Sequence, residues 1–162
     1  KRVGLMVSKS PERGQIDGFD RKILKEVSED GRISVTELAD RVGLSKSPTQ
    51  VRLRRLEQEG YIRGYRAELD PVKLDREHVA FVEVKLSDTR EAALAAFNKA
   101  TIAVPEIEEC HMIAGAFDYL VKVRCRDMGA YRRVLGEVIS ALPHVASTST
   151  HVSMQAVKDR AF

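Results

Sequence analysis

The sequence predicts an α+β chain, an N-terminal winged helix-turn-helix domain followed by a C-terminal ferredoxin-like βαββαβ domain. Three observations predict it. Three short, capped segments of helical period crowd between Asp17 and Gly60. At Asp70-Pro71 the text breaks, because a residue before proline is driven out of helical backbone space. Beyond it the order reads strand, helix, strand, strand, helix, strand.

The first helix begins at Asp17, where Phe19, Ile23, Leu24 and Val27 form one apolar stripe, and Asp30-Gly31 ends it. Ser34 stands three residues before Glu37, the spacing of a capping box. Val35, Leu38, Ala39 and Val42 supply that second helix's buried face, and Gly43 stops it. A third start is expected at Ser47, with Pro48 at the first helical position and Gln50 completing a second capping box. It runs to about Glu59, and Gly60 closes it. Tyr61–Ala67 is rich in β-formers and basic, which predicts a wing or connecting strand.

In the second half Ala80, Val82, Val84 and Leu86 alternate with Phe81, Glu83 and Lys85. A helix follows over Glu91–Ala103, with Leu94, Phe97 and Ile102 expected inward and Pro105 ending it. Ile107–Ile113 and Asp118–Cys125 read as a hairpin around Ala114–Phe117. Asp127 is placed to cap a helix carrying Met128, Tyr131, Val134, Leu135, Val138, Ile139 and Leu142. Val145–Val157 reads as a final long strand. Two helices cover only one sheet face, so Phe81 on the other face predicts self-association.

The expected bounds are a tail at 1–15, a helix-turn-helix at 16–62, a connecting strand or linker at 63–76, and the sheet domain at 77–158. Ser8–Gly14 has no hydrophobic period, and Met6 lies inside a chain that starts at Lys1, so an expression scar is expected among the leading residues. Hydrophobic residues at 43% and charged residues at 31%, with ten Gly and five Pro, exclude collagen-like and disordered classes. The longest apolar run, Ala92–Phe97, is far short of the roughly twenty residues a membrane helix needs, so no membrane partner is expected. Cys110 and Cys125 are too few for a disulfide framework, and with no signal-peptide pattern they predict a reducing cytoplasm and free thiols. Counting back from a hairpin centre at Gly115–Ala116 sets Cys110 opposite position 121, not opposite Cys125.

Charge separates the halves. The overall +3 lies entirely in residues 1–75, and Arg41–Arg66 carries seven cations against Glu57 and Glu59. With Pro48 at 0°, Thr49, Leu53 and Leu56 fall at about 100°, 140° and 80°, a buried stripe. Gln50, Val51, Arg54, Arg55 and Gln58 fall on the opposite face. Duplex DNA is read by such a mixture: arginine grips guanine, glutamine pairs with adenine, and an apolar side chain meets the thymine methyl. Ser45, Lys46, Ser47 and the helix start suit phosphate. Arg52 completes the set expected to bind double-stranded DNA, Ser45, Lys46, Ser47, Gln50, Val51, Arg52, Arg54 and Arg55. The competing reading is a solvated face kept for solubility.

Asp20-Arg21-Lys22-Ile23-Leu24, Asp30-Gly31-Arg32-Ile33-Ser34, Glu37-Leu38-Ala39, Val42-Gly43-Leu44-Ser45, Arg54-Arg55-Leu56-Glu57 and Glu59-Gly60-Tyr61-Ile62, continued by Leu69-Asp70-Pro71 and Gly115-Ala116-Phe117-Asp118-Tyr119, resemble the leucine-responsive/asparagine-regulator (Lrp/AsnC) family. The resemblance covers Ile16 to about Lys158. It implies a transcription regulator of amino-acid metabolism whose second (RAM) domain binds a small amino-acid effector and forms homodimers that assemble to octamers. It also implies effector contact at Met112, Ile113, Ala114, Gly115, Phe117, Asp118 and Tyr119, with Met128 and Thr148 as weaker members. Asp118 suits a ligand ammonium and Gly115 a close backbone approach, against the plainer readings of a satisfied loop amide and a turn. Lys46-Ser47-Pro48 with His111–Gly115 resembles the branch regulating amino-acid catabolism, while Lys46–Gln50 departs from the pattern of many relatives and leaves the operator open.

No cofactor, metal or catalytic residue is expected. His78, His111, His144 and His151 make no i, i+4 pair, and no phosphate loop or nucleophile elbow occurs. The alternative class is an enzyme resembling the sirohaem decarboxylases, with His111 as acid and Arg124 or Arg126 holding carboxylate. Outward arginines on the third helix weigh against it.

Overall fold

The computed structural model describes residues 16–158; the tail expected at 1–15 lies outside them. They fall into two compact units, one ending at Glu68 and one beginning at Leu69.

In the first unit, α1 (Gly18–Glu29) starts with a reciprocal capping box. Asp17 accepts the Asp20 N–H at 2.9 Å and Asp20 accepts the Asp17 N–H at 3.0 Å. At α2 (Val35–Val42) only half of the expected box forms. Ser34 Oγ accepts the Glu37 N–H at 3.2 Å, but the Glu37 carboxylate turns to Arg41 at 2.6 Å. Gly43 ends α2 in the left-handed region, φ 77°, which a residue bearing a Cβ rarely adopts.

The start of the next helix corrects the sequence expectation. α3 spans Lys46–Gln58 with Ser45, not Ser47, at the cap, and no side chain caps it. Pro48 therefore sits in the third helical position, where its missing N–H still costs nothing because a helix's first N–H groups have no internal partner. The second capping box does not form; the Thr49 N–H and hydroxyl both donate to the Ser45 carbonyl. Ile23, Val27, Leu38, Val42 and Leu56 form this unit's core.

Residues 61–77 contain no strand, which corrects the expected connecting strand at 63–76. β-rich composition makes a strand only where a neighbour supplies backbone partners, and none of the described residues pairs there. Tyr65 instead lies over Gly31, where an added Cβ would come within 3.2 Å of the ring, and its hydroxyl donates to Glu57 at 2.8 Å. Burial and that bond push the phenol up to about 12.

The second unit is a four-stranded antiparallel sheet ordered β2-β3-β1-β4, from β1 (His78–Leu86), β2 (Ile107–Met112), β3 (Tyr119–Cys125) and β4 (Val145–Val152). β1 alternates as expected, burying Ala80, Val82, Val84 and Leu86. Opposite Val82 lie Val121 and Thr150, and opposite Val84 lie Tyr119 and Thr148. Cys110 faces Val121 as the hairpin count requires. It is half-buried and Cys125 is buried; both are free thiols, pushed up by burial.

α4 (Glu91–Ile102) packs Ala93, Phe97 and Thr101 inward, one residue per turn. Ile102, expected inward, is 87% exposed because five residues past Phe97 is about 140° around the helix. The last helix begins as expected, with Asp127 accepting the Ala130 N–H at 2.7 Å. It is not regular: α5 (Met128–Arg133) runs into a π turn at Val134–Val138 and a 3₁₀ turn at Ile139–Ala141. Tyr131, Val134, Ile139 and Leu142 still reach the core. β4 stops at Val152 rather than Val157, because its last Cα partner on β1 is Ala80 and one further bond, Ser153 N–H to Val79, ends the ladder.

Candidate nucleic-acid and effector interfaces

α3 buries Thr49 and Leu56 completely and half-buries Leu53, the stripe its angles predict. Ser45, Lys46, Ser47, Val51 and Arg54 are exposed on the remainder and Gln50 is half-buried. Val51 is 68% exposed, a β-branched apolar side chain presented to solvent among polar neighbours.

Arg52 and Arg55 lie differently. Arg52 Nη1 donates to Asp17 Oδ2 at 2.6 Å and to Asp20 Oδ1 at 2.9 Å, and Arg55 Nη2 donates to Asp20 Oδ2. Asp20 is 1% exposed, so both guanidiniums are bound to a carboxylate from α1. The ring of Phe19 adds a cation–π contact to Arg52 at 5.6 Å. Arg52 and Arg55 thus dock α3 on α1, a use that composition cannot distinguish from DNA contact. The missed residue is Asp20. Its apolar neighbours Phe19, Ile23 and Leu24 were the available signal that it lies on the buried side.

Burial pushes the Asp20 carboxyl up, but the Asp17 N–H and the Arg55 and Arg52 guanidiniums outweigh it and hold it at about 2. A carboxyl lowered by folding stabilises above its ordinary value, 3.8, and loses that contribution as pH falls through the folded value. The melting temperature is therefore expected to fall between about pH 4 and pH 2. Asp20→Asn removes the Asp20 share of that fall; circular-dichroism melts across the range read it.

In the second unit, residues 113–118 form the hairpin connection between β2 and β3, flanked by Met112 and Tyr119. Ala114 and Gly115 are exposed, Ile113, Phe117 and Asp118 half-buried, and Met112 is 57% exposed. Asp118 is knitted into the sheet: its Oδ2 accepts the Leu86 N–H at 2.7 Å and its N–H donates to Val84 O at 3.0 Å. Tyr119 is buried, its ring 4.5 Å from that of Phe97. Gly115 has no positive φ, and a Cβ there would make only an ordinary contact with Ile113. Met112, Tyr119, Val84 and Thr148 form one row across the sheet on its helix-covered face. Met128 does not join them within one chain: it follows the far end of β3, whose seven residues span about 20 Å.

At that far end lies a cleft of about 540 Å³ with Arg76, Arg124, Arg126 and Arg133 among its lining residues. Arg124 bonds Glu108 and the Arg76 carbonyl, Arg126 bonds Asp127, and Arg76 reaches the Pro105 carbonyl. The residues named for an enzyme are therefore engaged structurally, and His111 is an exposed strand residue 3.4 Å from Glu109. Among the described residues no group of His, Cys, Asp and Glu could hold a metal ion, and no helix is long and apolar enough to cross a membrane.

A family described as the Lrp/AsnC ligand-binding domain matches residues 79–161, and one described as a winged helix-turn-helix DNA-binding domain matches residues 16–63. The chain belongs to the Lrp/AsnC family. It is 61% identical to a proline dehydrogenase transcriptional activator of Rhizobium radiobacter, over 94% of this chain and 98% of that protein. It is 48% identical to the leucine-responsive regulatory protein of Escherichia coli K12, over 88% and 87%. Among solved structures it is similar to a Neisseria meningitidis transcriptional regulator in complex with L-methionine, TM-score 0.85 at 30% identity, covering 90% of this chain and 94% of the other. E. coli AsnC is similar at TM-score 0.80 and 28% identity, covering 91% and 98%. As an Lrp/AsnC protein the chain is a DNA-binding transcription regulator with an amino-acid ligand-binding domain, and not an enzyme. The decarboxylase alternative is set aside.

Proposed function

We propose that α3 enters the major groove and reads base edges with Gln50, Val51 and Arg54, while Ser45, Lys46 and Ser47 hold phosphate. The observation that carries this is the division of cations on α3. Among the described residues Lys46 and Arg54 are exposed with no ion pair, whereas Arg52 and Arg55 are bound to Asp20. The chain acts in the cytoplasm as a homodimer, further assembled to an octamer. Two copies of α3 then meet half-sites about one helical turn, or a multiple, apart. The open sheet face, with Phe81 and Leu120 half-buried between charged neighbours, is the self-association surface.

Arg54→Ala is expected to relax preference at one base position by about 1–3 kcal/mol. Lys46→Ala weakens all sequences alike and lowers the salt slope by about 1. Competition binding on a randomised duplex pool measures both, and two unaffected variants would overturn the assignment of the face.

The effector is a small free amino acid held at the β2–β3 connection, with Met112, Ile113, Ala114, Gly115, Phe117 and Asp118 around it and Tyr119 and Thr148 beneath. The methionine complex of the Neisseria relative supports an amino acid, and the name of the Rhizobium relative makes proline the first to test. Regulation of amino-acid catabolism follows from the same relative. A thermal-shift screen over the twenty amino acids tests it, since a ligand selective for the native state raises the melting temperature. Gel filtration with each stabilising amino acid reads any change in assembly.

A further inference from the structure

We propose that Asp20 sets the sequence-independent DNA affinity of this regulator and its salt dependence, without touching DNA, by keeping Arg52 and Arg55 off the phosphates. α3 carries four cations, Lys46, Arg52, Arg54 and Arg55, and a single carboxylate from α1 bonds two of them. Their side chains are 29% and 37% exposed, so the guanidiniums sit at the surface, at the flank of the helix rather than under it. Arg55 is the next residue to Arg54, about 100° around α3, within side-chain reach of a duplex lying on the Arg54 face.

A guanidinium freed there would find phosphate, and phosphate contacts strengthen every sequence equally. Two more sequence-blind contacts multiply operator and random affinity by the same factor, so they raise non-specific binding and its salt dependence while the ratio of the two stays fixed. Asp20 is suited to restrain both arginines. It is buried, it stays ionised through the physiological range, and the Asp17 N–H fixes its orientation. Charge-assisted bonds of this kind are among the strongest a side chain makes. Asp17 and the Phe19 ring add a second and third contact to Arg52.

The inference rests on the reading of α3 above. Failure of that reading shows as unchanged base preference in Arg54→Ala, whereas failure of this one shows only in the Asp20 series. The test compares the full-length chain with Asp20→Asn on the tightest duplex recovered by the wild type from a random pool and on a scrambled duplex of equal length. Affinity is measured from 50 to 300 mM salt. Asp20→Asn is expected to bind the operator and the scrambled duplex more tightly by a similar factor and to steepen the slope of log K against log salt by up to about 2 on both. Asp20→Asn/Arg52→Gln/Arg55→Gln returns the slope to the wild-type value. A purely structural Asp20 would weaken both duplexes with no steeper slope, which would overturn the proposal. Should Asp20→Asn fail to fold, Arg55→Gln decides alone: an unchanged slope supports the proposal, and a slope lower by about 0.9 shows Arg55 already on phosphate and overturns it.

Discussion

Phe97→Ala lowers the unfolding free energy of the sheet unit by about 3–5 kcal/mol. Phe97 is the largest fully buried side chain, projecting from α4 toward the sheet. Phe97 shares its core with Val82, Val84 and Val121, which the hydrogen-bonded ladder of β1 and β3 holds in place, so the sheet side cannot collapse inward. The tilted Phe97–Tyr119 pair is lost as well, worth about 0.5–1.5 kcal/mol beyond its buried area. Small domains have only about 5–15 kcal/mol in total, so the variant loses roughly a fifth or more. Urea titration followed by far-UV circular dichroism reads it, and a change under about 1 kcal/mol would mean α4 does not pack as described. Tyr119 opens β3 directly after the connection assigned to the effector, so amino-acid binding should weaken in the same variant.

Leu56→Ala destabilises the first unit by about 2–5 kcal/mol and takes DNA binding with it. The residue touches no DNA in the proposed arrangement; it is fully buried and ties α3 to α1 and α2. Among the described residues the buried cluster there is small, Ile23, Val27, Leu38, Val42 and Leu56, so little remains to hold α3 once this side chain is shortened. Two separate units predict two unfolding transitions, of which only the first should move. Calorimetry with a parallel gel-shift assay separates the outcomes. A shifted first transition with unchanged DNA affinity below that transition would show that the loss is stability alone.

Most of the element order was legible because local signals agreed with burial. Ser34, Gly43, Asp127 and the alternation of β1 each name one local cause, and each cause operates in the fold. What spacing and composition left unread has another origin. Ser47 and Ser45 offer the same chemistry two residues apart, and what separates them is where the Thr49 hydroxyl finds a carbonyl, which spacing does not encode. A strand at 63–76 needs a partner that composition cannot supply. Arg52 and Arg55 count as two positive charges in any tally, and only the third dimension shows Asp20 already beside them. The hairpin's position and register were readable from its centre. The engagement of Asp118 with β1 was not, since Leu86 lies 32 residues away.

The π turn at Val134–Val138 is an α-helix carrying one surplus residue, accommodated as a local widening rather than as a loop. Tyr131 and Ile139 both reach the core across it; without the surplus residue an unbroken winding would hold them seven positions and about 700° apart, close to two full turns and so on one face. A single-residue gap against a relative in this stretch therefore marks a change of winding with the inner surface conserved, and not the loss of a segment.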